Sequence, residues 1–226
     1  MRPGDVPAAP LSALPPLPRE FYERHPVDVA PELLNKLLVR EDGRIGRIVE
    51  VEAYAGGEDP AAHSHRGRTA RNATMFGPAG HLYVYFTYGM HWCGNAVCGP
   101  PGEGWGVLLR AMEPVQGLDA MREARGSPPK KDRDLASGPG RLGQAMGLTR
   151  ELDGADLVLP DRGIWIASDG TPPPDAPAVG PRIGIRHAVE LPWRWHVPGH
   201  GHVSRTRAGV PPPRPRRKRR VLQGPA

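Results

Sequence analysis

The sequence predicts an α+β fold, a single mixed domain in which helices surround an antiparallel sheet. Three observations lead there. Segments that alternate apolar and polar residues are mixed with segments of helical period, and the mixture lacks the strand–helix–strand regularity of a parallel sheet. A tight-turn signal at Tyr88-Gly89 joins two runs directly, as antiparallel neighbours allow. The 226 residues support one well-buried core, with no sign of a second and no internal repeat. The expected organisation is a flexible segment 1–20, a packed body 21–205 and a basic, disordered segment 206–226.

The elements follow in order. Residues 1–20 are broken by proline and offer little to bury. "DVAPELLNKLLVR" predicts a helix: Asp28 caps it, Pro31 suits its first turn, and Leu33, Leu34, Leu37 and Leu38 form an apolar stripe to pack on a sheet. "RIGRIVEVEAY" predicts a strand with Arg47, Val49, Val51 and Ala53 on one face and Ile48, Glu50, Glu52 and Tyr54 on the other. "AGGEDPAAHSHRGRTARNATMFGPAG" is too rich in glycine and polar groups for a core element, and long ordered loops of this kind usually carry function.

"GHLYVYFTYGMHWCGN" concentrates the aromatics of a chain that is only 6% aromatic. It predicts a strand from Leu82 to Thr87 with Tyr83, Tyr85 and Thr87 on one face. The reversal at Tyr88-Gly89 then places Tyr88 at a hairpin tip. "WGVLLRAMEP" predicts another strand, and "EPVQGLDAMREAR" a helix with Pro114 at its start. "SGPGRLGQAMG" predicts a helix begun by Ser137 and closed by Gly147. Short strands are expected from Ile164 to Ala167, Arg182 to Arg186 and Trp193 to Val197.

Charge and composition exclude several classes. The apolar runs fall far short of a membrane span and the opening residues lack the pattern of a cleaved leader, so a cytoplasmic protein is expected, with no membrane partner. The spacing of Cys93 and Cys98 fits neither a zinc knuckle nor a redox pair; both read as buried reduced thiols, and no metal is expected. The net charge of +6 is matched by six basic residues after position 210, namely Arg214, Arg216, Arg217, Lys218, Arg219 and Arg220. The body is therefore neutral overall. Within it, no carboxylate falls between Asp59 and Glu103, a window that holds His63, His65, Arg66, Arg68, Arg71, His81 and His91.

A carboxylate and a ring share a strand face at Glu52 and Tyr54, a histidine–arginine loop follows, Tyr83 and Tyr85 offer a second ring face, and a basic tail can hold phosphates. Together they describe a slot for a planar group attached to a polyanion. The ordered pieces "EVEAY", "AAHSHRGRTARNATMFGPAGHLYVYFTYGMHWCGN", "GVLLRAMEP", "KDRDLASGPGRL" and "PRIGIRHAVELPWRW" resemble the alkyladenine DNA glycosylase family, the 3-methyladenine DNA glycosylases of the methylpurine type. The resemblance runs from about Val27 to Val203, and five separated motifs make it specific.

The resemblance implies a curved antiparallel sheet, surrounding helices and a protruding β-hairpin that enters the minor groove of double-stranded DNA. It implies that Tyr88 is the wedge filling the gap left by a flipped damaged purine, and that Tyr54 stacks on one side of that base with His63 and Tyr85 on the other. Glu52 matches the general base for water, Arg110 a side chain that helps hold the water, and the Ile183 carbonyl a second partner. Asn95 matches a residue that crowds the amino group of normal guanine. The implied reaction is hydrolysis of the N-glycosidic bond of 3-methyladenine or 7-methylguanine by a monomer without a cofactor, leaving an abasic site; hypoxanthine and ethenoadenine stay open as substrates.

Two other readings accompany this one. Glu50 and Glu52 lie about 6.6 Å apart on one strand face, near the lower limit for the carboxylate pair of an inverting glycoside hydrolase. A noncatalytic nucleic-acid binding module would use only the wedge and the tail. Taken without the resemblance, either Glu50 or Glu52 could be the base, Arg110 could pair with Glu113, and Tyr83 is read as structural.

Overall fold

The computed structural model describes residues 13–127 and 129–204. Its frame is an antiparallel sheet of β1 (Leu37–Arg40), β2 (Ile45–Ala55), β3 (His81–Thr87), β4 (His91–Cys98), β5 (Trp105–Gln116), β6 (Ala155–Asp156), β7 (Ile164–Ala167), β8 (Ala178–Gly180) and β9 (Arg194–His196). The strand order is β6-β3-β4-β5-β2-β1-β7, with β9 joining β2 and β8. Four short helices accompany it: α1 (Arg19–Tyr22), α2 (Pro26–Leu33), α3 (Leu118–Ala124) and α4 (Pro139–Ala145). The α+β class expected from the sequence is the one the chain adopts. No helix among the described residues is long and apolar enough to cross a membrane.

β2 is the spine. β5 pairs along its whole length, from Ile45↔Gln116 to Ala55↔Trp105. Its other edge is shared, first by β1 at Ile45 to Arg47 and then by β9 at Glu50 to Glu52. Register shifts between Ile48 and Val51 mark the handover, since an extra residue lets one strand bend between two neighbours. Leu33, Leu38, Ile48, Val51, Leu109, Met112 and Leu142 are among the fully buried side chains of the main core. Each such side chain contributes roughly 1.5–3 kcal/mol on leaving water.

The hairpin forms at the reversal expected from Gly89. Met90 N–H donates to Thr87 O at 3.2 Å, closing a turn in which Tyr88 and Gly89 both have positive φ, 51° and 69°. α4 lies so close behind β4 that a Cβ on Gly143 would collide with the Trp92 carbonyl.

Several expected elements differ. The predicted helix 28–40 is two elements: α2 ends at Leu33, Asn35 turns the chain at φ 66°, and Leu37 to Arg40 form β1. The paired leucines fit either period; Leu37 and Val39 enter a small second core with Leu14 and Trp165 while Leu38 enters the main one, which is strand alternation. Pro114 does not open a helix but lies in β5, opposite Gly46, and α3 begins after Gly117 at φ 73°. α4 is capped by Gly138, not Ser137, whose hydroxyl instead accepts from Arg141 at 3.0 Å; Gly147 closes the helix as expected. Residues 182–186 are not a strand, because the Ile183 N–H is taken by a side-chain carboxylate. Packing also begins before residue 21: Leu14 and Leu17 are buried, and the Leu14 carbonyl accepts from Trp165 Nε1 at 2.8 Å. Residues 206–226, expected to be disordered, lie outside the described residues.

Candidate active site

A cavity of about 370 Å³ opens between β2, β3, β4 and β5, the loop 56–80 and the segment 183–187. Tyr54, His63, Met75, Tyr83, Tyr85, Asn95, Arg110 and Ile183 line it, with Tyr88 at its edge. The size suits a small organic ligand and the walls are mostly rings and apolar groups. Tyr83 and Tyr85, two apart on β3, lie with centroids 5.5 Å apart and planes 22° from parallel. His63 meets Tyr85 edge-on at 4.5 Å. Its position is fixed by Asn72 Nδ2, which donates to the His63 carbonyl at 3.0 Å.

Behind the wall lies a buried charge cluster. Glu52 is fully buried and does not itself line the cavity, but every group that holds it does. Its Oε1 accepts from Ile183 N–H at 2.7 Å and pairs with Arg110 Nη1 at 3.1 Å; its Oε2 accepts from the Tyr54 hydroxyl at 2.8 Å. Glu50, equally buried, accepts from Arg110 Nε at 3.2 Å, Arg194 Nη1 at 3.0 Å and Ser204 N–H at 2.9 Å. Two carboxylates and two guanidiniums therefore compensate one another, as burial of charge demands. Arg110 bridges the two acids and, among the described residues, forms no ion pair with Glu113.

The titration of these groups follows from that arrangement. Burial works against the Arg110 charge, but Glu52 and Glu50 outweigh it and hold the guanidinium above its usual range. Burial would raise Glu50, yet Arg110, Ser204 and Arg194 bring it below its usual value. Burial, then Glu52, pushes the Tyr54 phenol far up, so it stays a donor. Burial likewise raises the Cys93 thiol to about 11, against the hydrogen bond from Tyr85, which makes it a poor nucleophile. Both cysteines are buried and unpaired with each other. His63 is held below its usual value by burial and then by Arg71; its ring is crowded by protein, yet the residue keeps substantial exposure, which tempers the effect.

The structure brings Glu52, Arg110, Tyr54, His63, Tyr85 and Asn95 to one place and sets Tyr88 beside them. Asn95 is buried, its Nδ2 donating to the Tyr83 carbonyl at 3.4 Å. Ile183 meets Glu52 through its N–H and not through its carbonyl. Tyr83 lines the cavity, and its hydroxyl has no protein partner among the described residues. Sequence reasoning passed over Asp59 and Arg182, a buried pair at 2.8 Å, because 123 positions separate them. The hairpin tip carries Phe86, Tyr88 and Met90, which are 42%, 57% and 63% exposed although two are apolar. Arg66, Arg68 and Arg71 are exposed on the adjoining loop, with Arg71 Nη2 donating to the Phe86 carbonyl at 2.7 Å. Glu113, His200 and His202 form one cluster with metal-ligand chemistry. There the His202 N–H donates to His200 Nδ1 at 3.3 Å and His200 Nε2 lies 3.4 Å from Glu113 Oε2, so a Glu–His contact accounts for the cluster.

A ring-lined cavity thus has a buried carboxylate behind its wall and exposed apolar groups beside it. The methylpurine-DNA glycosylase family matches residues 20–201, and the chain belongs to that family. A provisionally named 3-methyladenine DNA glycosylase of Burkholderia lata is 64% identical over 188 residues, 83% of this chain and 90% of that protein. Similarly named proteins of Koribacter versatilis, at 47% over 88% of this chain and 98% of the relative, and of Methanoculleus marisnigri, at 50% over 84% and 98%, are also alike.

Proposed function

We propose that this chain is a monofunctional DNA glycosylase that hydrolyses the N-glycosidic bond of alkylated purines, 3-methyladenine and 7-methylguanine foremost, in double-stranded DNA. The observation that carries the proposal is the junction of Glu52 with three cavity-wall groups, Tyr54, Arg110 and the Ile183 N–H. Tyr88 enters the duplex and fills the gap left by the damaged nucleotide, with Phe86 and Met90 beside it. The extruded base lies against Tyr54 on one side and His63 with Tyr85 on the other. Flipping costs a few kcal/mol, and stacking on a side chain returns about 1–3 kcal/mol per base, so several rings are needed to hold it out. Alkylation at N3 or N7 makes the purine cationic, which weakens its bond to the sugar and draws it to electron-rich rings.

Among the described residues Glu52 Oε2 accepts only from Tyr54, which leaves it a lone pair to take a proton from water. As the base departs with the electron pair of the C1′–N bond, positive character grows at C1′; water attacks there and passes its proton to Glu52, leaving an abasic site. Arg110 orients the carboxylate. Asn95 narrows the space around the purine amino group and so opposes normal guanine.

The Glu50/Glu52 glycoside hydrolase reading finds less support. Glu50 shares only Arg110 with the cavity wall, and its other donors, Arg194 and Ser204, stand away from it.

The test is incubation with methylated duplex DNA and chromatography of the freed bases. Wild-type protein releases methylpurines, and Glu52→Gln binds the damaged duplex but loses about 10²–10⁴-fold in single-turnover excision. Unchanged excision by the variant would remove Glu52 from the mechanism, and no released base would leave the binding-module reading.

A further inference from the structure

Arg182 is buried against the site yet has no part in the chemistry above. Its Nη2 donates to Asp59 Oδ1 at 2.8 Å, and its Nη1 donates to Asp59 Oδ2 and to the Ala53 carbonyl, the latter at 2.9 Å. The guanidinium carbon lies 4.7 Å from the Tyr54 ring centroid and 5.2 Å from that of Trp193. Tyr54 lines the cavity and Arg182 does not, so the cation covers the rear of the ring whose front faces the ligand space. Asp59 also accepts from the backbone N–H groups of Ala55 at 3.3 Å and Ala61 at 3.0 Å, which fixes the turn between Tyr54 and His63.

A ring attracts cations through one quadrupole, on which a cation at either face draws. The guanidinium behind Tyr54 therefore weakens the pull of its front face on a second cation. Stacking on a neutral base, which rests on dispersion and shape, is kept. Asp59 moderates the rear charge but reaches the ring only through Arg182.

We propose that Arg182, with its charge set by Asp59, is a specificity-determining residue that lowers the preference of the Tyr54 face for cationic purines relative to neutral ones. The proposal rests on Tyr54 being the stacking partner in the function proposed above. It extends the range of the site toward neutral lesions such as hypoxanthine.

The test compares single-turnover excision, at saturating protein, of a cationic base, 7-methylguanine, and a neutral one, hypoxanthine, in the same duplex. Asp59→Asn/Arg182→Met removes both charges together and keeps an acceptor for the Ala61 N–H, although the amide cannot also serve the Ala55 N–H. It is expected to raise the cationic-to-neutral ratio about tenfold. Asp59→Asn alone leaves the rear cation unmoderated and is expected to lower the ratio, and Arg182→Lys keeps it near wild type. Opposite shifts in the two asparagine variants are what a mere loss of structure does not produce. Equal losses on both bases, shifts of the same sign, or a ratio that moves in Arg182→Lys as far as in the double variant would overturn the proposal. Should the double variant not fold, the sign of the Asp59→Asn shift decides. Wild-type protein that frees neither base overturns the glycosylase reading and this proposal with it; release of both with an unshifted ratio overturns this one alone.

Discussion

Glu50 and Glu52 stand two positions apart on β2, both without exposure, and are separated only by their company. Strand alternation places them on one face but says nothing about which is held by the cavity wall; Tyr54, Arg110 and Ile183 decide that, and two of the three come from distant parts of the chain. Glu50 is expected to be a stability residue. Glu50→Ala strands Arg194 and halves the partners of Arg110, and breaking a buried pair costs about 3–5 kcal/mol, readable as a lowered urea midpoint at unchanged slope. A variant as stable as wild type would contradict that role. His63 gives a pH prediction. Its depressed value means the neutral imidazole persists below the ordinary 6.5, and acid then places a positive charge beside a cationic base. Excision of 7-methylguanine should therefore hold steady above that value and fall on the acid side of it, and His63→Gln should flatten the fall; an acid limb identical in the variant would assign it elsewhere. Fold stability follows the same sign, present above 6.5 and lost as pH falls through the depressed value, but the exposure of the residue makes that contribution small.

The elements show where sequence pattern informs and where it stops. The β3–β4 hairpin was legible because Gly89 tolerates the positive φ of a tight turn between two alternating runs, although Tyr88 takes such a φ against its own preference. The run "LLNKLL" was not, because pairs of leucines four apart satisfy both periods and only the partner sheet, through β7 and β2, chooses the strand. Residues 182–186 alternate like a strand yet give their N–H and guanidinium to Glu52 and Asp59. Nothing local announces such long-range acceptors. The hairpin also carries its own prediction. With Phe86, Tyr88 and Met90 exposed at the tip, Tyr88→Ser should weaken capture of a flipped base in a paired duplex several-fold more than excision from a substrate in which the base is already unpaired. Equal loss on the two substrates would make Tyr88 part of the packing and not a wedge.

At the scale of the molecule, charge is divided unevenly between the packed body and the last residues. The +6 of the chain equals the six basic residues after position 210, so the body must approach DNA with a neutral total and a local excess on the loop that carries Arg66, Arg68 and Arg71. These two sources of attraction are separable, because each phosphate neutralised contributes about −0.9 to the slope of log affinity against log salt. Removing residues 211–226 should flatten that slope by up to about five and weaken binding to undamaged duplex at low salt. Excision at saturating protein should stay as it was, since the cavity and its buried cluster lie within residues 50–204. If the slope is unchanged, the phosphate contacts belong to the loop beside the hairpin, and Arg66→Ala with Arg68→Ala should then flatten it by about two. Either way the salt dependence assigns the polyanion contact to a stretch of chain, independently of which lesion the cavity takes.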